Sequence, residues 1–203
     1  MYTAKINQNE NREELLEFIH ANGFAILVST VEGKPWATHV PLLLSHDKKK
    51  LQGHIAKGNK QWKEWNADTE VLAIFQGPHA YISSSWYDHE NVSTWNYLAV
   101  HVYGKLKIQT EQELLNSLKD LTDKYEKQSE KPVSVDRMNP DYVKKQMLGI
   151  VGFEIEILKI EATYKLSQNR DSKNHDAIVS QLEKLEDHGS RAIATEMKKA
   201  GHS

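Results

Sequence analysis

Hydrophobic and polar positions alternate along this chain in a helix, strands, helices order. Leu15, Phe18 and Ile19 recur at helical spacing behind Asn11, with Glu14 three residues on as in a capping box, and Asn22-Gly23 stops the run. Phe24 to Thr30 reads as a buried strand, Glu32-Gly33 as a hairpin turn and Trp36 to Leu44 as the returning partner. A second turn at His46 to Lys50 leads into a strand over Leu51 to Ala56. Lys60 to Trp65 forms a short helix behind Asn59. Strand patterning returns at Val71 to Gly77 and at Leu98 to Ile108, where Val100, Val102, Leu106 and Ile108 point inward.

The second half begins with Thr110-Glu111-Gln112-Glu113, a strict capping box, followed by Leu114, Leu118, Leu121 and Tyr125 on one helical face. Asn139-Pro140 opens another helix with Pro at its first position. Phe153 to Ala162 is a strand whose inward set shifts phase after Ile157, as a bulge would make it. Past a polar joint at 169–174, Ile178, Leu182 and Leu185 form one stripe and Ile193, Met197 and Ala200 another, split at Gly189. These readings predict an α+β protein built on a small antiparallel barrel, with a domain over 1–170 and a C-terminal helical tail over 171–203.

Composition narrows the class. The 203 residues are 39% hydrophobic, enough for a core, and contain no cysteine, which excludes disulfides and thiolate metal sites and points to a reducing, cytoplasmic setting. The start of the chain has no apolar signal-like segment, and no run reaches the roughly 18 to 20 apolar residues of a membrane span, so no membrane contact is expected. With 26 basic and 28 acidic residues the net charge is −2, which gives no bulk attraction for nucleic acid. Lys48-Lys49-Lys50 reads as a solvated hairpin tip and Lys198-Lys199 as a helix end, not as a DNA footprint. No glycine-rich phosphate loop of either common type is present. His39, His79, His89 and His101 lack an i, i+4 pair or companion carboxylates at ligand spacing, so no metal site is expected.

The densest chemistry lies between residues 76 and 104, where Tyr81, Trp86, Tyr87, Trp95, Tyr97 and Tyr103 crowd together with His79 and His101. A flat aromatic ligand suits such a stretch; core and interface packing is the commoner use of such rings.

Specific motifs carry a resemblance. Ala37-Thr38-His39-Val40-Pro41-Leu42-Leu43-Leu44, Gly53-His54-Ile55-Ala56-Lys57-Gly58-Asn59 with Trp62, Ala73 to Ser83, Thr94-Trp95-Asn96-Tyr97, Ile150 to Ile155 and Lys165-Leu166-Ser167-Gln168-Asn169-Arg170 resemble the PaiB-like members of the FMN-binding split-barrel superfamily. The match covers about residues 1 to 180. Ser93 stands where the family pattern has Pro, which frees a φ angle in that loop.

The resemblance implies an antiparallel FMN-binding split barrel with flanking helices, a homodimer with FMN between subunits, and a cytoplasmic transcriptional regulator repressing protease production and sporulation. The alternative in the same superfamily is a flavin-dependent oxidoreductase linked to NAD(P)H; a haem-handling protein ranks third. DNA binding gains little from the charge balance. On this resemblance the FMN phosphate, a dianion, would meet Lys57, Asn59 and His54, beside Ile55 in the same motif. Backbone groups of Thr38, His39 and Val40 would meet the ring's carbonyl edge, Trp95, Asn96 or His101 would close the site across the dimer, and Lys165, Ser167 and Gln168 complete the set. Lys57 read alone is equally an ordinary solvated lysine at a turn. No residue stands out as an obligatory general base.

Overall fold

The computed structural model describes residues 1–66 and 68–201; the last two positions of the 171–203 tail lie outside the described residues. Five helices and seven strands follow in the order α1 (Arg12–Ala21), β1 (Phe24–Val31), β2 (Lys34–Pro41), β3 (Leu43–Leu44), β4 (Lys50–Ala56), β5 (Glu70–Ile82), β6 (Thr94–Ile108), α2 (Glu111–Glu126), α3 (Pro140–Met147), β7 (Ile150–Lys165), α4 (Ser172–Lys184) and α5 (His188–Ala200). Short 3₁₀ helices at Lys60–Glu64, Ser84–Trp86 and Val135–Arg137 link them. The strands form one antiparallel sheet in the order β2-β1-β5-β6-β7-β4-β3.

That order leaves β2 and β3 as edges, so hydrogen bonding does not close the predicted barrel. The backbone nevertheless approaches itself near the edge. A Cβ on Gly53 of β4 would lie 3.1 Å from the Pro41 carbonyl oxygen at the end of β2, a gap only glycine leaves open. A split barrel has this character, with its edge strands unjoined by a ladder.

By its contacts the chain divides into two compact units. One comprises Met1–Phe18, Gln76–His101 and Glu161–Ser203; the other comprises Ile19–Phe75 and Val102–Ile160. The predicted boundary at residue 170 falls inside the first of these, which holds α4 and α5 together with the aromatic stretch up to His101.

The second unit begins with a hairpin that needs no long-range help. Glu32 and Gly33 both take positive φ, 52° and 73°, the two-residue turn whose twist matches its strands, and Val31 pairs with Lys34. Ala25, Leu27 and Val31 alternate inward on β1, and the edge of Trp65 meets the Phe153 ring at 5.1 Å in the core. Thr110 and Glu113 make the full capping box at the start of α2. Asn139 caps α3, accepting from the backbone of Asp141 and Tyr142.

In the first unit, Asn11 accepts from the Glu14 backbone at the start of α1, and Phe18 packs against Tyr164 at 5.8 Å. Asp171 and Asp187 cap α4 and α5, whose Ile178, Leu182, Ile193 and Met197 have no exposed surface.

Several boundaries differ from the sequence reading. The predicted strand Trp36 to Leu44 breaks at Leu42, because Leu43 and Leu44 pair with β4 instead. β5 runs on to Ile82 and β6 starts at Thr94, so much of the aromatic stretch is strand. Ile108 is exposed, because the inward alternation of β6 ends at Leu106. The last two helices divide at 185–187, and Gly189 lies in the first turn of α5. Leu185, predicted on the buried stripe, is exposed beyond the end of α4.

Candidate functional site

The predicted residues gather into two sets, each within one unit. The first joins β2 to the turn after β4. Thr38 lies on the edge strand, half-buried, and its Oγ1 accepts from Asn59 Nδ2 at 2.8 Å while donating to Gln61 Oε1 at 2.7 Å. Asn59 also caps the 3₁₀ helix Lys60–Glu64, its Oδ1 accepting from the Gln61 backbone at 3.0 Å. Two motifs 21 residues apart thereby become one polar patch.

Gln61 holds that patch from beneath. It has no exposed surface, and its Nε2 donates to the Leu27 carbonyl at 3.3 Å and to Ser29 Oγ at 3.0 Å. Sequence reasoning missed it. A glutamine in a short, polar helix carries no pattern that distinguishes burial from exposure.

Lys57 occupies the turn itself. Its backbone N–H donates to the Gly149 carbonyl at 2.8 Å and its carbonyl accepts from Trp62 Nε1 at 2.9 Å, so the main chain is fixed from both sides. The side chain is exposed and forms no ion pair among the described residues. A fixed backbone bearing an unneutralised ammonium suits an anion.

The neighbours divide by direction. Val40 and Ile55 are buried, so only their backbones can reach a ligand. His39 is exposed and stacks on Phe24 at 6.1 Å. His54 is half-buried on β4 opposite Gly152, and burial holds its pKa below the ordinary value near 6.5. As β2 is an edge strand, half of its backbone donors and acceptors face away from β1 with no ladder partner.

The second set lies in the other unit. Asn96 has no exposed surface; its Nδ2 donates to Ser167 Oγ at 3.0 Å, and that hydroxyl donates back to Asn96 Oδ1 at 3.1 Å. Ser167 takes a φ of 61°, a conformation a serine adopts at a cost, and this reciprocal pair holds it there. Gln168 clamps the same turn, accepting from the Leu166 backbone at 2.7 Å and donating to the Tyr164 carbonyl. Lys165 Nζ donates to Thr94 Oγ1. These contacts secure the exit from β7.

Trp95 is 51% exposed and touches two rings that the site reading had not included, His79 at 6.0 Å and Tyr81 at 5.9 Å. Strand alternation could have found both, had the stretch been read as strand. His101 is half-buried, with a buried Nδ1 that has no hydrogen-bond partner among the described residues. Burial, then the positive chain terminus, lower its pKa against an opposing pull from Glu161.

A cavity of about 500 Å³ between α2 and α3 and another of about 330 Å³ between α4 and α5 are lined by none of the predicted residues. Among the described residues no three metal-ligating side chains converge, and no helix is long and apolar enough to cross a membrane.

This sheet has a split-barrel fold that solved structures share. The fold is shared with the flavocytochrome Anf3 of Azotobacter vinelandii, at a TM-score of 0.64 and 12% identity over 86% of this chain and 78% of that one. It is shared likewise with an FAD and heme binding protein of Mycobacterium smegmatis, at 0.62 and 14% identity over 84% and 79%. Residues 1–159 match the family described as "Putative FMN-binding domain". The chain is 44% identical over 200 residues to "Protease synthase and sporulation protein PAI 2" of Bacillus subtilis, covering 98% of this chain and 97% of that protein. The chain belongs to this PaiB-like FMN-binding family, and membership makes FMN its cofactor.

The residues present fit that group. An exposed ammonium on a fixed turn, a carboxamide beside a hydroxyl, and an edge strand with free backbone groups are the donors a phosphate and a ring rich in carbonyls and nitrogens require.

Proposed function

We propose that the protein is an FMN-binding regulator that lowers protease production and sporulation, working as a homodimer in the cytoplasm. The observation that carries this reading is the 44% identity to PAI 2 across nearly the full length of both proteins. Lys57 takes the phosphate, with His54 behind it on β4. Asn59 keeps Thr38 in place, and the outward backbone of Thr38, His39 and Val40 reads the ring edge. Trp95 and His101 close the site in the dimer, while Asn96, Ser167, Gln168 and Lys165 hold the β7 exit that supports them. Bound FMN would supply one- and two-electron redox chemistry, which the chain's own residues do not.

Expression in a Bacillus subtilis strain lacking PAI 2 tests the regulatory role. Secreted protease should fall to the level of the parent strain, and an unchanged level would overturn the reading. In parallel, the purified protein should retain a visible flavin band after excess FMN is removed. With a net charge of −2, any direct DNA contact should be weak and lost steeply with salt in a gel-shift assay. NAD(P)H oxidation above the rate of free FMN would favour the oxidoreductase instead.

A further inference from the structure

The cavity of about 500 Å³ between α2 and α3 lies within the second unit and takes no part in the site proposed for FMN. Its apolar wall comes from Leu115 on α2, Val135 and Met138 in the connecting turn, and Val143 and Met147 on α3. Met147 is the buried residue of α3, whereas Leu115, Val135, Met138 and Val143 stay half-buried, so the two helices do not close on each other.

The wall is braced. Lys119 Nζ meets Asp136 at 2.5 Å and ties α2 to the 3₁₀ helix Val135–Arg137. Arg137 Nη2 donates to the Pro132 carbonyl at 2.7 Å, and Glu126 accepts from the Val133 backbone at 2.9 Å. Asn139 fixes the start of α3. Such a pocket is preformed, and its volume falls in the range of roughly 300–1,000 Å³ that small ligands occupy.

Charge selects the ligand. Four charged side chains border the apolar wall, and Lys119 and Asp136 neutralise each other. That leaves Glu111 at the start of α2 and Lys144 on α3, both exposed and neither in an ion pair among the described residues. These two belong to different helices and do not pair with each other, so the complementary ligand carries an ammonium and a carboxylate set apart, with apolar groups between them. A fatty acid leaves Glu111 unmatched, a diamine leaves Lys144 unmatched, and a single amino acid holds both charges on one carbon.

We propose that this cavity binds an apolar peptide of about two or three residues with both ends free, each extended residue adding at most about 3.6 Å to the span between its charges. Its ammonium meets Glu111, its carboxylate meets Lys144, and its side chains lie against Leu115, Val143 and Met147. Hydrolysis of peptide bonds is the class of reaction that supplies such a ligand, because each cleavage leaves a free carboxylate on one fragment and a free ammonium on the other.

The test titrates the full chain by isothermal calorimetry with leucyl-leucyl-leucine, its N-acetylated form, its C-amidated form and decanoate. The free peptide should bind, and each blocked form should bind about threefold more weakly, as the loss of one exposed ion pair implies. Lys144→Ala should weaken the free peptide by the same factor and leave the C-amidated form at its parent affinity; Glu111→Gln should do likewise for the N-acetylated form, giving a double-mutant cycle at each end. Leu115→Gln should weaken all three peptides about tenfold. If a thermal melt shows that this variant does not fold, the exposed positions 111 and 144 carry the test. The proposal is overturned if the free peptide does not bind, if blocking its ends costs nothing, if decanoate binds as tightly, or if neither Lys144→Ala nor Glu111→Gln weakens it. Flavin retention should be the same in every variant, and a parallel loss of flavin would overturn the cavity as a separate site.

Discussion

Asn59 and Asn96 each sit in a motif shared with the family, and each bonds to a hydroxyl from a distant strand, Thr38 in one case and Ser167 in the other. Their surroundings differ. Asn59 is half-buried beside the exposed Lys57 on an open edge, so its bonds shape a surface that a ligand can reach. Asn96 has no exposed surface, and its reciprocal bonds with Ser167 are spent on holding a serine at a φ of 61°. Identical chemistry shapes an accessible surface where solvent reaches it and internal architecture where solvent does not, because a buried amide has no spare donor or acceptor to offer.

Removing the hubs beneath the two regions tests this contrast most strongly. Gln61→Leu should cost about 3 kcal/mol in urea unfolding, because it leaves Ser29, the Leu27 carbonyl and Thr38 without their buried partner. FMN affinity should fall with it, as Thr38 and Asn59 lose their support. Asn96→Ala should cost about 2 kcal/mol by the same measurement, by opening a small cavity and freeing Ser167 from its pair. FMN affinity measured well below the unfolding transition should fall less than in Gln61→Leu, because Asn96 acts only through the β7 exit. A loss of affinity as large as that of Gln61→Leu would erase the distinction between the regions.

Lys57→Ala should show the opposite pattern: FMN bound roughly tenfold more weakly, with the midpoint of unfolding unmoved, since the side chain is exposed and makes no ion pair among the described residues. Isothermal titration alongside a thermal melt reads both.

The smallest effect expected is that of pH. Burial lowers the pKa of His54 below 6.5, so the unfolded chain binds the proton more readily than the folded one. This histidine therefore contributes nothing to pH dependence well above 6.5, and stability falls as pH drops through 6.5 toward its folded pKa. His101 acts in the same direction. Melting temperatures between pH 8 and pH 5 should decline, and His54→Gln should flatten part of that decline; an unchanged slope would leave it to other groups.

Features encoded within a few residues were legible. The Thr110 capping box, the Asn139-Pro140 helix start and the Glu32-Gly33 hairpin turn all form as read, since each is satisfied by its own neighbours. Reading stopped where neighbours are distant. The strand read from Val71 ends at Gly77, yet β5 continues through Gly77-Pro78 to Ile82. Its pairing with β1 is confined to Leu72, Ala73 and Ile74, so Pro78 surrenders no hydrogen bond to that strand. Ending the strand at Gly77 concealed the alternation that sets Tyr81 and His79 beside Trp95. The likeness of the Lys57 turn and the Thr38 strand to a known family marked them as candidates, but not that Asn59 ties them together.

The order of helices and strands, their local caps and turns, and the membership in an FMN-binding family follow from the sequence by itself, because periodicity, capping and motifs act over short spans of chain. Only the tertiary structure decided which polar side chains are buried hubs and which stay open to solvent. Gln61 joins strands from residue 27 to residue 38, and Asn96 reaches Ser167 across 71 positions. Burial is a property of what surrounds a residue in space, and for these residues the surroundings come from parts of the chain that no local pattern connects.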